Sequence, residues 1–335
     1  MERVARRARE ERGEGKGEDS GRLGLGLGMD LVWGERIGFE KTGEGRPTDR
    51  VAAFLQRHAQ DYDYMFVAFQ PIDYGPLEPE RYFPAYDRLF ELFGPGRPRA
   101  FHHTMLNTGS PEEYEKEAVA EFTNALIERY GFRWVIEDLG IWSLGGRSLP
   151  YPMPPVLTTE GLRRCVGHVG EWVRRLDAPL SVEFPGFTEG GSFLVGTLDA
   201  FAFFGTVIRE TGALATLDVG HVLAYQWLMG RTGKRMFEGV EALPLDRCHE
   251  VHLSGCQIVE GRFRDLHHGV LLDEQLALLE HLLPMMPRLT GVTYEDPNFD
   301  AAGRLVPKSR PNAERLFAIV RAWKEEADAG ARRVG

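Results

Sequence analysis

The chain has 335 residues, enough for two average domains or one large α/β barrel with a sizeable core. Its formal net charge of −10 argues against a nucleic-acid clamp, which needs a concentrated basic surface. The 43% hydrophobic and 27% charged balance is ordinary for a soluble globular enzyme, and no apolar run reaches membrane-spanning length.

The cysteines, Cys165, Cys248 and Cys256, are few and lack CxxC spacing, which points away from a disulfide scaffold or zinc ribbon and toward a reducing, cytoplasmic setting. Residues 1–21 are highly charged and lack the apolar stretch of a signal peptide, so they read as a disordered N-terminal extension to a single domain over 22–335.

From there short apolar runs alternate with helical patterns. Leu23–Leu31 reads as a strand, Thr48–Gln60 as a helix, Tyr64–Phe69 as a strand and Glu80–Phe93 as a helix. Ala100–His103 is a short third strand. Ser110-Pro111-Glu112-Glu113 supplies a cap, a proline at the first turn and acids against the positive helix end, predicting a helix from there to about Tyr130. Trp134–Glu137 and Leu180–Glu183 are strands around a helix from Thr158 or Thr159 to about Leu176. A helix over Thr197–Thr211 leads to the strand Ala215–Asp218, a helical region through Leu223–Leu228 and an irregular passage. Glu250–Leu253, a helix over Asp273–Leu283, Gly291–Glu295 and a helix over Asn312–Ala327 complete the chain.

Eight strands alternating with helices, and no clear linker, predict a single (β/α)8 barrel of the TIM type. A doubly wound sheet is the alternative, but no GxGxxG opens a helix and no P-loop occurs.

Active sites of such barrels lie at the carboxyl ends of the strands. In this chain those ends carry His102-His103, Glu137-Asp138, Glu183, Asp218 with His221, His252, and Glu295. Behind His252, the loop adds Asp265 and His267, which alternate along an extended segment so that both point one way. His252 alone also reads as a hydrogen-bonded core histidine, and Glu137, Glu183 and Glu295 also read as structural acids paired with arginines. One of His102 and His103 faces the mouth and the other packs, because successive strand residues face opposite ways. Asp138 is either a ligand or the first loop residue, and His268 is a candidate for acid–base work beside Asp265.

Together these acids would repel one another in a buried mouth unless protonated or bound to cations. Nitrogen and oxygen donors without thiolate suit iron, zinc or manganese, and the number of candidates exceeds the needs of one ion, so two or three ions are expected.

The order Asp218-x-x-His221, His252, Asp265-x-His267, Glu295, with Glu183 upstream, resembles the xylose-isomerase-like TIM barrels. Within them, Glu250–Gly255 (EVHLSG), Arg264–Gly269 (RDLHHG), Leu217–His221 (LDVGH) and Val135–Ser143 (VIEDLGIWS) are similar to the multinuclear non-haem iron-dependent oxidative enzymes. Three features depart from that family. Asp138 stands where it has histidine, Phe184 stands where it has asparagine, and the second strand lacks its acidic and amide residues.

The resemblance implies two or three iron ions, O2 as co-substrate, and oxidation of a cysteine, aspartate or asparagine in a ribosomally made precursor peptide. In it Glu183 bridges two ions, and His221, His252, Asp265 and His267 divide between them. It also implies, as in many members, a small partner protein that binds the leader peptide. A sugar isomerase or epimerase with one divalent ion, working through Glu183 and Glu295, is the alternative, ahead of a trinuclear zinc endonuclease for abasic DNA.

Overall fold

The computed structural model describes residues 21–334 apart from 42, 74 and 188–193. All but the last residue of the expected N-terminal extension lies outside the described residues.

Eight parallel strands close into a barrel: β1 (Gly24–Asp30), β2 (Tyr64–Ala68), β3 (Arg99–His102), β4 (Val135–Asp138), β5 (Leu180–Glu183), β6 (Leu214–Asp218), β7 (Cys248–Leu253) and β8 (Gly291–Glu295). They pair in sequence order, and β1 closes the ring on β8 with Gly28 opposite Glu295. Among the described residues the helices are α1 (Asp49–His58), α2 (Phe83–Phe93), α3 (Glu117–Tyr130), α4 (Thr159–Arg175), α5 (Ala200–Thr211), α6 (Val219–Leu228), α7 (Asp273–Leu282) and α8 (Arg310–Val334). The fold is the (β/α)8 barrel that the alternation of elements predicts.

Strand periodicity sorts the side chains. Leu25, Leu27, Met29, Met65, Val67, Val182, Leu217, Val251 and Val292 point outward into the apolar layer beneath the helices. Tyr64, Phe66, Ala68, Ala100, Trp134 and Ile136 form a separate cluster inside the barrel. The glycines of β1 make room for it: a Cβ on Gly28 would lie 2.3 Å from the Phe66 ring, and one on Gly26 would lie 2.4 Å from the Tyr64 ring. The interior is therefore packed, with Phe66 as a floor and the polar strand ends above it.

Two local expectations change. The helix predicted from Ser110 starts at Glu117. Ser110 Oγ accepts from Glu112 N in a tight turn, while Lys116 is drawn into the wall to pair with Glu171 at 2.8 Å, so tertiary contacts override the favourable cap sequence. Asp218 and His221, which as a spacing beyond a strand would suit a tight loop, lie instead where β6 runs into α6. Asp218 is the N-cap of α6, its Oδ1 accepting from His221 N at 2.8 Å, so strand passes directly into helix.

Candidate metal centre

Inward-facing residues at the strand ends reach the mouth: His102 from β3, Asp138 from β4, Glu183 from β5, Asp218 from β6, His252 from β7 and Glu295 from β8, all buried. The first turn of α6 adds His221. A hairpin of Cys256–Val259 with Arg262–Asp265, behind β7, adds Asp265. His267 and His268 follow with φ of 44° and 38°, and Asp296, after β8, with 43°. For residues with a Cβ this left-handed conformation is strained, and here it turns three polar side chains back over the barrel. Asp265 and His267 thus reach one place through a turn rather than through extended alternation.

Glu183 sits at the centre. Its Oε2 lies 3.1 Å from His102 Nε2 and 3.1 Å from His252 Nδ1, and its Oε1 lies 3.6 Å from His221 Nδ1. His221 Nε2 is 3.3 Å from Asp265 Oδ2, which is 3.9 Å from His267 Nε2. Ligand atoms fall within 4.8 Å of one another in the groups His102–Glu183–His252, Asp138–Glu183–His221, Asp218–His221–Asp265, Glu183–Asp218–Glu295 and Asp30–His267–Asp296.

The hydrogen bonds show which atoms remain open. His102 Nδ1 donates to the His103 carbonyl at 3.0 Å and His221 Nδ1 to the Phe184 carbonyl at 2.8 Å, because a carbonyl can only accept. Each ring therefore presents Nε2 to the mouth. His267 Nδ1 is held at 2.8 Å by Asp296 Oδ2, which likewise leaves Nε2. At the mouth, Asp138 Oδ1, Asp218 Oδ2, Asp265 Oδ2 and His252 Nδ1 are buried without a hydrogen-bond partner. Polar atoms that converge while unpaired suit cations of a size to lie between them.

Among the described residues, the ion pairs of these acids are with histidines alone. Burial and the Glu183 charge push Asp138 up to about 6; burial with Asp265 and Glu183 nearby pushes Asp218 up to about 7. Burial would lower the His102 imidazole, but the hydrogen bond and charge of Glu183 carry it to about 10. Burial would raise Asp265, yet His267 and His221 draw it down to about 2.

Two sequence candidates are displaced. His103 faces the helical layer: its Nε2 bonds Thr123 Oγ1 at 3.0 Å and its Nδ1 accepts from Thr104 N and Met105 N, so no lone pair reaches the mouth. Burial lowers it to about 3, keeping it neutral. Glu137 also points outward, where it accepts from Leu106 N at 2.8 Å, one residue out of phase with Asp138. His268 lies at the rim, its Nε2 3.9 Å from Asp296 Oδ1. Asp30 and Asp296 were missed. Asp30 ends β1 in phase with Gly26 and Gly28, so its parity was readable; Asp296 is brought in only by its positive φ, which no pattern announces.

A closed parallel barrel with acids and imidazoles gathered at the carboxyl ends defines a (β/α)8 TIM barrel with a polar mouth. The structure is similar to a xylose isomerase domain protein from Alicyclobacillus acidocaldarius subsp. acidocaldarius (TM-score 0.52, 14% identity, 89% of this chain and 99% of that one). It is also similar to one from Planctomyces limnophilus (0.51, 12%, 92% and 99%) and to an L-ribulose 3-epimerase (0.50, 14%, 90% and 97%). At such identities the likeness is one of fold. No curated protein matches the chain. Residues 56–310 match the family described as RiPP precursor modification enzyme MbnB/TglH/ChrH, and the chain belongs to that family. It is therefore an enzyme of the class that modifies ribosomally made precursor peptides.

Proposed function

We propose that the chain is a multinuclear non-haem iron enzyme that uses O2 to oxidise a cysteine, aspartate or asparagine of a precursor peptide in the cytoplasm. The observation that carries this is the convergence of His102 Nε2 and His252 Nδ1 on one oxygen of Glu183, each at 3.1 Å, beside further buried and unpartnered carboxylate oxygens. His102, Glu183 and His252 would hold one ion, and His221, Asp265 and His267 with Asp218 a second. Glu183 lies between these two groups of side chains, and Asp138 and Glu295 would complete the set. These nitrogen and oxygen donors without thiolate fit iron. Bound there, iron would supply dioxygen activation and the redox capacity for a multi-electron oxidation.

The chain's own contribution is positioning. The His103 and Phe184 carbonyls fix the tautomers of His102 and His221. Phe66, its ring centroid 5.3 Å from His102 and 5.0 Å from His252, closes the site from below against water. At the rim His268, with its side chain 32% exposed, stands where an entering peptide residue would first meet a proton donor or acceptor. Asp265, held at 2.5 Å by Ser254 Oγ, keeps its other oxygen toward the site. A small leader-binding protein is the expected partner.

The test is metal analysis with Mössbauer spectroscopy on protein purified without oxygen, followed by O2 and the precursor encoded nearby. Two or three irons per chain and a mass change in the peptide are expected. Zinc in every site would replace this reading with phosphodiester hydrolysis, and a single exchangeable manganese or magnesium with sugar isomerisation.

A further inference from the structure

Beneath the mouth, in the packed interior of the barrel, lies a carboxylate that the metal-holding groups do not use. Glu250 is fully buried, two residues before His252 on β7 and on the same face. Its Oε2 accepts from Trp134 Nε1 at 2.7 Å, and its Oε1 accepts from Tyr64 OH at 2.8 Å and Thr293 Oγ1 at 2.6 Å. The indole can only donate, so the pocket is built to receive a carboxylate's lone pairs. No Lys or Arg is among these partners. A buried charge of this kind is costly and adds nothing to barrel packing that an apolar residue would not supply.

What stands above it explains its presence. His252 Nε2 lies 3.5 Å from Glu250 Oε1, while Nδ1 of the same ring faces Glu183 and Glu295 at 3.1 and 3.7 Å. The imidazole is thus suspended between a carboxylate below and the candidate metal centre above. We infer that Glu250 is a positioning residue. It holds the hydrogen of His252 on Nε2, directs the Nδ1 lone pair at the ion, and sets that ion's affinity and reduction potential through its buried charge.

Tyr64, Trp134 and Thr293 belong to the same device, because they keep the carboxylate in place from β2, from the residue before β4, and from β8. A negative charge one residue-layer beneath the ion stabilises its more oxidised state, and an acceptor behind a ligating imidazole raises the ring's basicity. The inference rests on the metal-centre reading of the mouth, but not on the ion being iron.

The test compares wild type with Glu250→Gln, which keeps shape and removes charge, and Glu250→Asp, which keeps charge. Zinc affinity is read by chelator competition, and the midpoint potential by spectroelectrochemistry of the iron-loaded protein. For Glu250→Gln a roughly 10- to 100-fold loss of zinc affinity and a positive shift in potential are expected, with partial recovery in Glu250→Asp. A folded Glu250→Gln that binds zinc within about twofold of wild type at unchanged potential would overturn the inference.

A crystal structure of the zinc-loaded wild type gives a readout independent of variant folding. Zinc on Nδ1, with Glu250 at hydrogen-bond distance from Nε2, supports the assignment; zinc on Nε2 refutes it. Protein that carries zinc natively, yet loses affinity in Glu250→Gln, would refute the oxidase reading and leave this one standing.

Discussion

A strand residue's partners decide whether it is a ligand candidate, and His102 and His103 make the contrast plain. Both are buried and adjacent, but His102 keeps one nitrogen open to the mouth while both nitrogens of His103 are engaged with Thr123 and the backbone. His252→Ala and Asp265→Ala should therefore lose metal-binding capacity with the barrel's circular dichroism intact. His103→Ala should keep its metal and lose about 2–4 kcal/mol of stability, from the cavity and the orphaned N–H groups of Thr104 and Met105. Elemental analysis beside thermal melts checks this, and metal loss in His103→Ala equal to that in His252→Ala would contradict the assignment. Parity made most of these residues legible: a strand read in the right phase gives His102, Asp138, Glu183 and His252 at once. It gave Glu250 and Asp30 too, had the same face been followed along β7 and β1. Asp296 was illegible because its side chain arrives through a backbone conformation rather than a period.

Among the elements, β7 and the hairpin behind it do the most to build the mouth. Gly255 and Gly269 bring the two ends of that excursion together: a Cβ on Gly255 would lie 2.2 Å from the Gly269 Cα, and Cys256 N donates to the Val270 carbonyl at 3.0 Å. The close approach holds Asp265 and His267 over the barrel. Gly255→Ala must force these backbones apart, at a cost of about 1–3 kcal/mol. Metal loading at the Asp218–His221–Asp265 group should suffer more than the melting temperature does. A titration of zinc into the variant that matched wild type would rule this out. The sequence showed the Asp265-x-His267 spacing but not its geometry, since it read as an extended segment and is a hairpin end followed by a left-handed turn. The helix expected from Ser110 failed for a related reason. Local capping chemistry was sound, and the burial of Lys116 against Glu171 outweighed it.

For the whole molecule, the gathered acids make the fold's stability depend on what neutralises them. Strand count and alternation were enough to give the barrel, because outward Leu, Val and Met face the helices and glycines of β1 admit the rings of Tyr64 and Phe66. The mouth, by contrast, makes stability depend on the protons it holds. Burial lifts Asp138 from 3.8 to about 6 and Asp218 from 3.8 to about 7, so the folded state binds more protons than the unfolded one between those values. Stability contributed by their neutral forms is lost as pH rises through about 6 and 7. His221, His252 and His267, each raised by nearby carboxylates against the opposing effect of burial, act in the same direction, because their charged forms stabilise the fold until pH passes their folded values. Glu183 and Asp265 are depressed and act oppositely only at acid pH, near the range where free carboxylates titrate. The metal-free protein should therefore melt lower at about pH 8 than at about pH 5.5, while metal, replacing protons in the mouth, adds more to the melting temperature at the higher pH. Calorimetry of chelated and zinc-loaded protein across that interval checks both halves. A metal-induced rise in melting temperature that shrinks with increasing pH would mean that the ion binds elsewhere and that these acids balance their charge among themselves.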